Sequence, residues 1–352
     1  MVFSGLEEPS GARGIVVLRV LSLTTAFLAI ASGCSRWEEV EETRFGQFMP
    51  IFSIGQLEGP SHLVLGRIED VTFGDGAGIF LLDSSPPSVH AYSSDGKHLA
   101  SWEARGRGPG EMMAPQELEV TREGRIAIAD RVRLVLIVLE FRDNKFFHVV
   151  DHPIPGLPHA MCVTGGSAIV LVGSDIPLFE IDLSTGQAKA LPIRGEENPH
   201  ARGGFSAGHL ACPAADRLGA WGGRFTGRLR LFGPDGTVHE DFGFPGFRSI
   251  DTVTVGRKFV QSLPEEGFTT LDHVGWVDDS TLVLQGNEYA QHGGRVNIQE
   301  TVSFLKRPGA PVVKLQGWPS LTVFQAGRGA GVVQDSVPRV HVYSWTGGHG
   351  EH

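Results

Sequence analysis

The chain contains little positive charge and little cysteine for its 352 residues. Its 30 lysines and arginines are outnumbered by 40 aspartates and glutamates, which gives a formal net charge of -10, and only 3 residues are cysteine. Because phosphate binding requires clustered basic side chains, this balance argues against nucleic acid as a partner. The 47 glycines and 21 prolines instead suit a fold with many tight turns.

Helical periodicity is nearly absent, and no apolar run reaches the roughly 20 residues that a membrane-spanning helix needs. Near the N-terminus, Arg13 and Arg19 precede a short apolar stretch, which leads through small residues to Cys34. This order resembles a bacterial lipoprotein signal, in which the peptide is cut before a lipid-bearing cysteine. We expect residues 1–33 to be a signal peptide, residues 34–44 to be a flexible tether and Cys34 to be the lipidation site. A plain cleaved signal and an uncleaved anchor helix are the alternatives.

Short hydrophobic runs bounded by Gly, Asp, Asn and Pro fill the rest of the chain and recur about every 47 residues. A second run and a turn such as Asp95-Gly96, which favours a tight hairpin, follow each of them. The first runs end at Asp83, Asp130, Asp175, Gly222, Gln285 and Asp335. Four short strands in such a repeat predict a propeller blade. The longer fourth interval indicates an insertion near residues 243–268.

The sequence therefore predicts an all-β fold, a six-bladed β-propeller of four-stranded antiparallel blades over residues 45–345, with a disordered tail at 346–352. Strands a to d run from the inside to the outside of each blade. The last blade has no outer strand of its own, and residues 47–54 have the pattern to supply it beside residues 339–344. Such pairing closes the ring and covers an open sheet edge. The b–c turns and the links between blades then share one side, which we call the loop-rich face.

The blade pattern of residues 78–83, the turn Asp95-Gly96 and the link from Gly106 to Glu111 resemble bacterial six-bladed propeller lipoproteins related to NHL-repeat and TolB-like propellers. The resemblance spans about residues 45–345. It implies export to the periplasm and a lipid anchor in the cell envelope, at the outer membrane. It also implies binding of peptides, glycans, envelope proteins or small metabolites, with lactonase or lyase activity in some relatives.

Loops on a rigid scaffold are common binding sites, and they supply the first candidate set. The candidate ligand-binding residues of the loop-rich face are Asp83, Arg105, Arg107, Glu111, Asp130, Asp175 and Asp335. In the link from Arg105 to Glu111, glycine amides and arginines could hold an anionic group. Alternatively, the glycines and Pro109 only shape the crossing from one blade to the next.

Polar residues on the predicted inner strands supply a second candidate set. Asp70, Glu117, His209 and Asp272 could converge on Ca²⁺, which takes oxygen ligands, and His159, His209 and His273 could hold Zn²⁺. The alternative is that these residues hydrogen-bond across the channel. Cys162 and Cys212 also fall on inner strands of adjacent blades, and we expect two buried free thiols rather than a disulfide.

The first hypothesis is a non-catalytic, monomeric module without a cofactor. It binds a protein, peptide or glycan at the loop-rich face and reaches the membrane only through its lipid anchor. The alternative is a metal-assisted, lactonase-like hydrolase or lyase that holds Ca²⁺ or Zn²⁺ near the central channel. A third hypothesis is a purely structural component of the envelope.

Overall fold

The computed structural model describes residues 42–43, 46–74, 78–173, 178–193, 208–213, 219–255, 258–262, 264–278, 280–292, 295–325 and 328–346. Every described residue belongs to the unit Val40–His352. The expected signal peptide, Cys34, the expected tail after Thr346 and Asp175 lie outside the described residues.

In the part of the chain that the structure describes, six blades of four antiparallel strands form a six-bladed β-propeller, which confirms the predicted fold class. Two strands and a 3-10 helix precede blade 1: β1 (Glu42–Thr43), β2 (Gln47–Ile54) and Ser61–Leu63. Blade 1 contains β3 (Ile68–Gly74), β4 (Gly78–Ser84), β5 (Pro87–Tyr92) and β6 (His98–Glu103). Blade 2 contains β7 (Pro115–Val120), β8 (Arg125–Asp130), β9 (Val135–Arg142) and β10 (Lys145–Pro153). Blade 3 contains β11 (Pro158–Thr164), β12 (Ser167–Val172), β13 (Leu178–Asp182) and β14 (Ala188–Ala190).

The second half of the ring follows the same order, with one insertion. Blade 4 contains β15 (Gly208–Ala211), β16 (Gly219–Gly223), β17 (Arg228–Phe232) and β18 (Val238–Gly243). The predicted insertion is a separate two-stranded hairpin, β19 (Asp251–Val255) and β20 (Lys258–Ser262). Blade 5 contains β21 (Phe268–Trp276), β22 (Leu282–His292), β23 (Arg295–Lys306) and β24 (Val313–Leu315), with β1 parallel to β24. Blade 6 contains β25 (Val323–Gln325), β26 (Arg328–Val333), β27 (Arg339–Thr346) and β2.

The ring closes through β2, as predicted. This strand pairs antiparallel with β27 over a register from Gln47 opposite Thr346 to Ile54 opposite Val340. Phe48 packs edge-on against the rings of Trp318 and Phe324, at centroid distances of 4.8 and 5.6 Å. The N-terminal strand therefore supplies both backbone hydrogen bonds and apolar contacts to the last blade.

The core lies between neighbouring blades rather than within each one. Leu82 of blade 1, for example, belongs to the same buried cluster as Leu118 and Ile128 of blade 2. The second strand of a blade has blades on both sides, so its residues are apolar on both faces, as in the fully buried Ile79–Leu82 segment of β4. This explains why these strands are continuous hydrophobic runs rather than alternating ones.

The two cysteines of the propeller form a disulfide, so the expectation of two free thiols is wrong. Cys162 and Cys212 lie in and next to the inner strands β11 and β15, with a Cα–Cα distance of 5.5 Å. The two residues differ in position within their repeats, but inner strands of adjacent blades lie side by side. Their Cα atoms consequently come within the range that a disulfide spans.

Candidate functional site

The aspartates that end the second strands of blades 1 and 2 accept hydrogen bonds from the main chain of the loop-rich face. The Asp83 carboxylate accepts hydrogen bonds from the backbone N–H groups of Gly66, Arg67 and Ser85. That of Asp130 accepts them from Met113, Ala114, Val132 and Arg133. Both side chains are buried, at 2% and 0% exposure. Each carboxylate thus connects the link before its blade to the b–c turn of the same blade. Because both are buried and hydrogen-bonded, Asp83 and Asp130 are not part of the ligand-binding surface proposed below.

The glycine-rich link from Arg105 to Glu111 is held by its own contacts. Gly106 N–H donates to the Met112 carbonyl at 3.1 Å, and Gly108 N–H donates to the Glu111 carboxylate at 2.6 Å. Arg133 donates to the Glu111 carbonyl oxygen. Because these amides and the Glu111 carboxylate have partners within the chain, the contacts favour the interpretation in which the glycines shape the crossing. Arg105 and Arg107, by contrast, are exposed.

Exposed apolar side chains accompany these two arginines on the loop-rich face. Leu57 (69% exposed) and Val64 (41%) lie in the link before blade 1, and Met113 (36%) lies in the link before blade 2. Val132 (52%) and Leu134 (39%) lie in the b–c turn of blade 2. We call Leu57, Val64, Met113, Val132, Leu134, Arg105 and Arg107 the apolar–basic surface. Sequence reasoning missed its apolar members, whose signal is a large aliphatic residue inside a polar link or turn.

Asp335, the remaining described candidate of this face, lies in the b–c turn of blade 6. Its carboxylate accepts hydrogen bonds from Val337 N–H at 2.8 Å and from the Arg339 guanidinium at 2.9 Å. The Val337 hydrogen bond is the leading cause that lowers the pKa of this exposed carboxyl. Asp335 therefore stays charged and close to the closing strands, in a different blade from the apolar–basic surface.

Three carboxyl groups line the channel on blades 1 and 2. Asp70 accepts hydrogen bonds from Val71 N–H and from Leu118 N–H of the next blade, both at 2.8 Å. Burial raises the pKa of Asp70 to about 7 and that of Glu119 to about 8. Burial, reinforced by the charges of Asp70 and Glu119, raises the pKa of Glu117 well above its usual value. Glu119 was missed at the sequence level, although its spacing of two residues from Glu117 places both on one side of β7.

His209 and His273 lie on the inner strands of blades 4 and 5, and Asp272 of β21 pairs with Arg224 from the b–c turn of blade 4. Burial lowers the pKa of His209 to about 4 and that of His273 to about 3, and His209 adds to the effect on His273. Arg224 contacts the Asp272 carboxylate at 3.2 Å, and the Thr270 hydroxyl donates to the same carboxylate at 2.5 Å. Both imidazoles are therefore neutral near pH 7, and Asp272 has its own cationic partner.

These inner-strand side chains join neighbouring blades. Asp70 and Glu117 each accept from the main chain of the following inner strand, at Leu118 and Met161, and His209 bonds to the main chain of Leu271. The four Ca²⁺ candidates are thereby divided into Asp70 and Glu117 on blades 1 and 2 and His209 and Asp272 on blades 4 and 5. Of the Zn²⁺ candidates, His159 lies apart on β11 of blade 3. Among the described residues, no group of three or more His, Cys, Asp or Glu side chains is arranged to hold a metal ion. Asp70 and Glu117 thus bond to the adjacent inner strand and not across the channel, whereas the buried His209 Nε2 and His273 Nε2 have no hydrogen-bond partner among the described residues.

Replacement of Glu119 by Gln should make the fold less sensitive to alkaline pH. A carboxyl with a raised pKa stabilises the fold below its ordinary pKa, and this contribution is lost as pH rises through about 8. We expect Glu119→Gln to exceed the parent protein in stability at pH 9 by on the order of 2 kcal/mol, with a smaller difference at pH 5. Urea unfolding at the two pH values measures this. The surface variant Glu103→Gln should change neither value, and an equal response of both variants would contradict the account.

Comparisons with known proteins identify the architecture. A family model described as a 6-bladed beta-propeller (DUF5128) matches residues 35–164. No curated protein matches the chain. Among solved structures, a member of the DUF4221 family from Bacteroides vulgatus ATCC 8482 superposes with a TM-score of 0.54 at 8% identity, over 86% of this chain and 99% of that one. A protein from Bacteroides fragilis NCTC 9343 described as exported gives 0.51 at 9% identity, over 86% and 97%.

These likenesses are evidence for the fold alone, because the identities are so low. The virginiamycin B lyase of Staphylococcus aureus has a TM-score of 0.49 at 8% identity, over 85% of this chain and 99% of that one, and carries no argument about activity. Within the part of the chain that the structure describes, none of the helices is both long and apolar enough to pass through a bilayer.

Proposed function

We propose that this protein is an exported, lipid-tethered propeller that binds a protein or peptide at the apolar–basic surface, or a glycan there, without catalysing a reaction. The observation that carries the proposal is the exposure of five large aliphatic side chains on the links and b–c turn of two adjacent blades. Exposed apolar groups gathered on one side of a soluble domain commonly mark an interaction surface.

The rigidity of these loops supports the proposal. Val132 N–H and Met113 N–H donate to the buried Asp130 carboxylate at 3.0 and 2.6 Å, so the two apolar side chains project from fixed main chain. Binding to a preformed surface avoids the entropic cost of ordering loops. The scaffold therefore presents these groups in the way that efficient recognition requires.

The charge pattern indicates the chemistry of the partner. The formal charge of -10 belongs to the protein as a whole, so the two arginines of the apolar–basic surface are a local exception to it. Arg105 and Arg107 are exposed in the same link region as Met113, so the surface combines local positive charge with aliphatic contacts. A protein or peptide segment with apolar and acidic side chains complements both features.

Two polar substitutions test whether the partner binds at the apolar–basic surface and not elsewhere on the propeller. We expect the double variant Met113→Ser with Val132→Ser to lose at least tenfold in affinity for the partner, because two of the five exposed aliphatic side chains are removed. The matched control is Val149→Ser, which removes an aliphatic side chain of 46% exposure from the outer strand β10.

The measurement compares immobilised parent, double variant and control for capture from a solubilised envelope fraction, and for binding to a glycan array. Retention of the same species by the parent and Val149→Ser, with loss by the double variant, supports the proposal. Equal capture by all three proteins would contradict it. Retention of a defined glycan alone would identify the partner class as carbohydrate.

A further inference from the structure

A histidine cluster joins the closing link to blade 1, apart from the channel and from the apolar–basic arginines. The link over residues 55–67 connects β2 to β3 and carries His62. The His62 ring stacks on the His98 ring of β6, with centroids 3.9 Å apart and planes at 15°. The Tyr92 hydroxyl donates to the His62 carbonyl oxygen at 2.5 Å. Two contacts of one residue therefore hold the middle of this link against the blade.

Hydrogen bonds behind the stack fix where each proton lies. The Ser88 hydroxyl donates to the Pro86 carbonyl at 3.0 Å, so it accepts from His90 Nε2–H, also at 3.0 Å. His90 Nδ1 is then an acceptor, and the Ser101 hydroxyl donates a hydrogen bond to it at 2.8 Å. Ser101 in turn accepts from His98 Nε2–H at 2.8 Å. In neutral His98 the free lone pair is consequently on Nδ1, and an added proton binds there.

The main chain of Ala100 hydrogen-bonds to His98 and favours its charged form, but burial and His62 act more strongly in the opposite direction on its pKa. On β5, the neighbours of the stacked rings are His90, which is 3% exposed, and the neutral Tyr92 phenol. At the end of β4, the Asp83 carboxylate acts on His90, but it is already engaged by the N–H groups of Gly66 and Arg67. The Arg67 side chain of the link pairs with Glu69 at 2.9 Å. A second positive charge on the His62 and His98 stack would therefore meet like charge at close range.

We propose that this stack is an acid-sensitive latch: positive charge that builds up on the stacked rings in acid repels them from each other and releases the link over residues 55–67 from blade 1. In more acidic solution, protonation of His90 at Nδ1 also removes the acceptor for the Ser101 hydroxyl, so the hydrogen-bond relay behind the stack breaks. Histidine is the side chain whose charge changes in the pH range that envelope proteins encounter.

The direction of the titration agrees with release in acid. Burial, followed by the charge of His62, lowers the pKa of His98, and burial lowers that of His90 to about 4. A histidine with a lowered pKa contributes stability above its ordinary pKa of about 6.5, and this contribution is lost as pH falls below that value. The latch is therefore closed at pH 7.5 and opens progressively toward pH 4.

Release of the link over residues 55–67 would also change the apolar–basic surface. Leu57 and Val64, two members of the apolar–basic surface, lie in the same link. We therefore expect the partner to bind more weakly in acid, an expectation that rests on the proposed function. Release of the link does not, since it is a property of the isolated protein.

Hydrogen exchange followed by mass spectrometry tests the latch without any partner. The mature protein is labelled at pH 7.5 and pH 5.0, and rates are corrected for the intrinsic pH dependence of exchange. We expect protection in peptides covering residues 55–67 to fall about tenfold or more at pH 5.0, while β8 and β12 keep theirs. Unchanged protection of the link at pH 5.0 would overturn the proposal.

Two variants each replace one histidine of the stack by a side chain that cannot be protonated. His62→Phe keeps an aromatic ring on His98 without a charge, and His98→Asn retains an N–H donor toward Ser101. Either variant should keep the link protected at both pH values, and one that folds suffices for the test. The control His239→Phe replaces an exposed histidine of β18 and should behave as the parent does. If the non-titrating variants open in acid as the parent does, the stack is not the latch.

Partner capture at the two pH values is a separate arm of the experiment. Release of the link with no change in capture would contradict the coupling to binding and leave the latch intact. Absence of any captured species at either pH would contradict the proposed function and leave the exchange result unaffected.

Discussion

Asp130→Ala is expected to destabilise the propeller by about 4 kcal/mol, the largest effect of any single substitution discussed. The Asp130 side chain is fully buried, and four backbone N–H groups donate to its two oxygens. A buried donor left without an acceptor costs about 1–3 kcal/mol, and partial rearrangement of the loops keeps the total below the simple sum. The loss should appear as a lower midpoint of urea unfolding.

Two further variants sharpen this test. Asp130→Asn should be intermediate, because the amide retains one acceptor oxygen and turns an NH₂ group toward an N–H donor. Glu103→Ala, which removes an exposed carboxylate from β6, should change the free energy of unfolding by less than about 0.5 kcal/mol. A loss below about 1 kcal/mol for Asp130→Ala would mean that the aspartate does not organise the link and turn of blade 2.

Phe48→Ala is expected to cost about 3 kcal/mol, although residue 48 lies far in sequence from the rest of the sheet that it completes. Its ring contacts Trp318, Phe324 and Tyr343, with centroids at 4.8, 5.6 and 6.2 Å. Removing it leaves a cavity at the closure of the ring and weakens the pairing of β2 with β27.

The neighbouring residue provides a matched control. Met49 belongs to the same strand but is 49% exposed, so Met49→Ala should cost less than about 0.5 kcal/mol. Urea unfolding of both variants, monitored by tryptophan fluorescence and by circular dichroism, gives the comparison. Equal stabilities would show that β2 contributes little to the closure.

The fold was predictable because its signals are local and repeated. Residues 47–54 were predicted to be the closing strand and are β2 in the structure, since their pattern and the missing outer strand of blade 6 both required it. The state of Cys162 and Cys212 was not predictable in the same way. It depends on how two neighbouring inner strands are offset, which is set by packing across blades and not by the sequence of either strand.

Repetition alone does not separate residues that bind a ligand from residues that build the blade. Asp83 and Asp130 recur at the same point of successive blades, and each is occupied by the backbone of its own link. A residue repeated in this way serves the construction of the blade. Leu57 and Val132, which do not belong to the repeat, are the exposed groups that need another explanation.

The channel residues were placed correctly on inner strands, but their partners could not be read from the sequence. Asp70 reaches the main chain of Leu118, and Glu117 reaches that of Met161, because the edges of adjacent inner strands are not paired with each other. Which side chain meets which N–H depends on the tilt and spacing of the blades. Burial then raises the pKa values of these carboxyls, an effect that composition alone does not reveal.

Site-specific photo-crosslinking tests the central claim, that the apolar–basic surface is where a partner binds. A photoreactive phenylalanine analogue replaces Val132 in one protein and Val149 on the outer strand β10 in the other, and both are irradiated in intact cells. We expect a discrete cross-linked species from position 132 and none from position 149. The same adduct from both positions, or an adduct from position 149 alone, would contradict it.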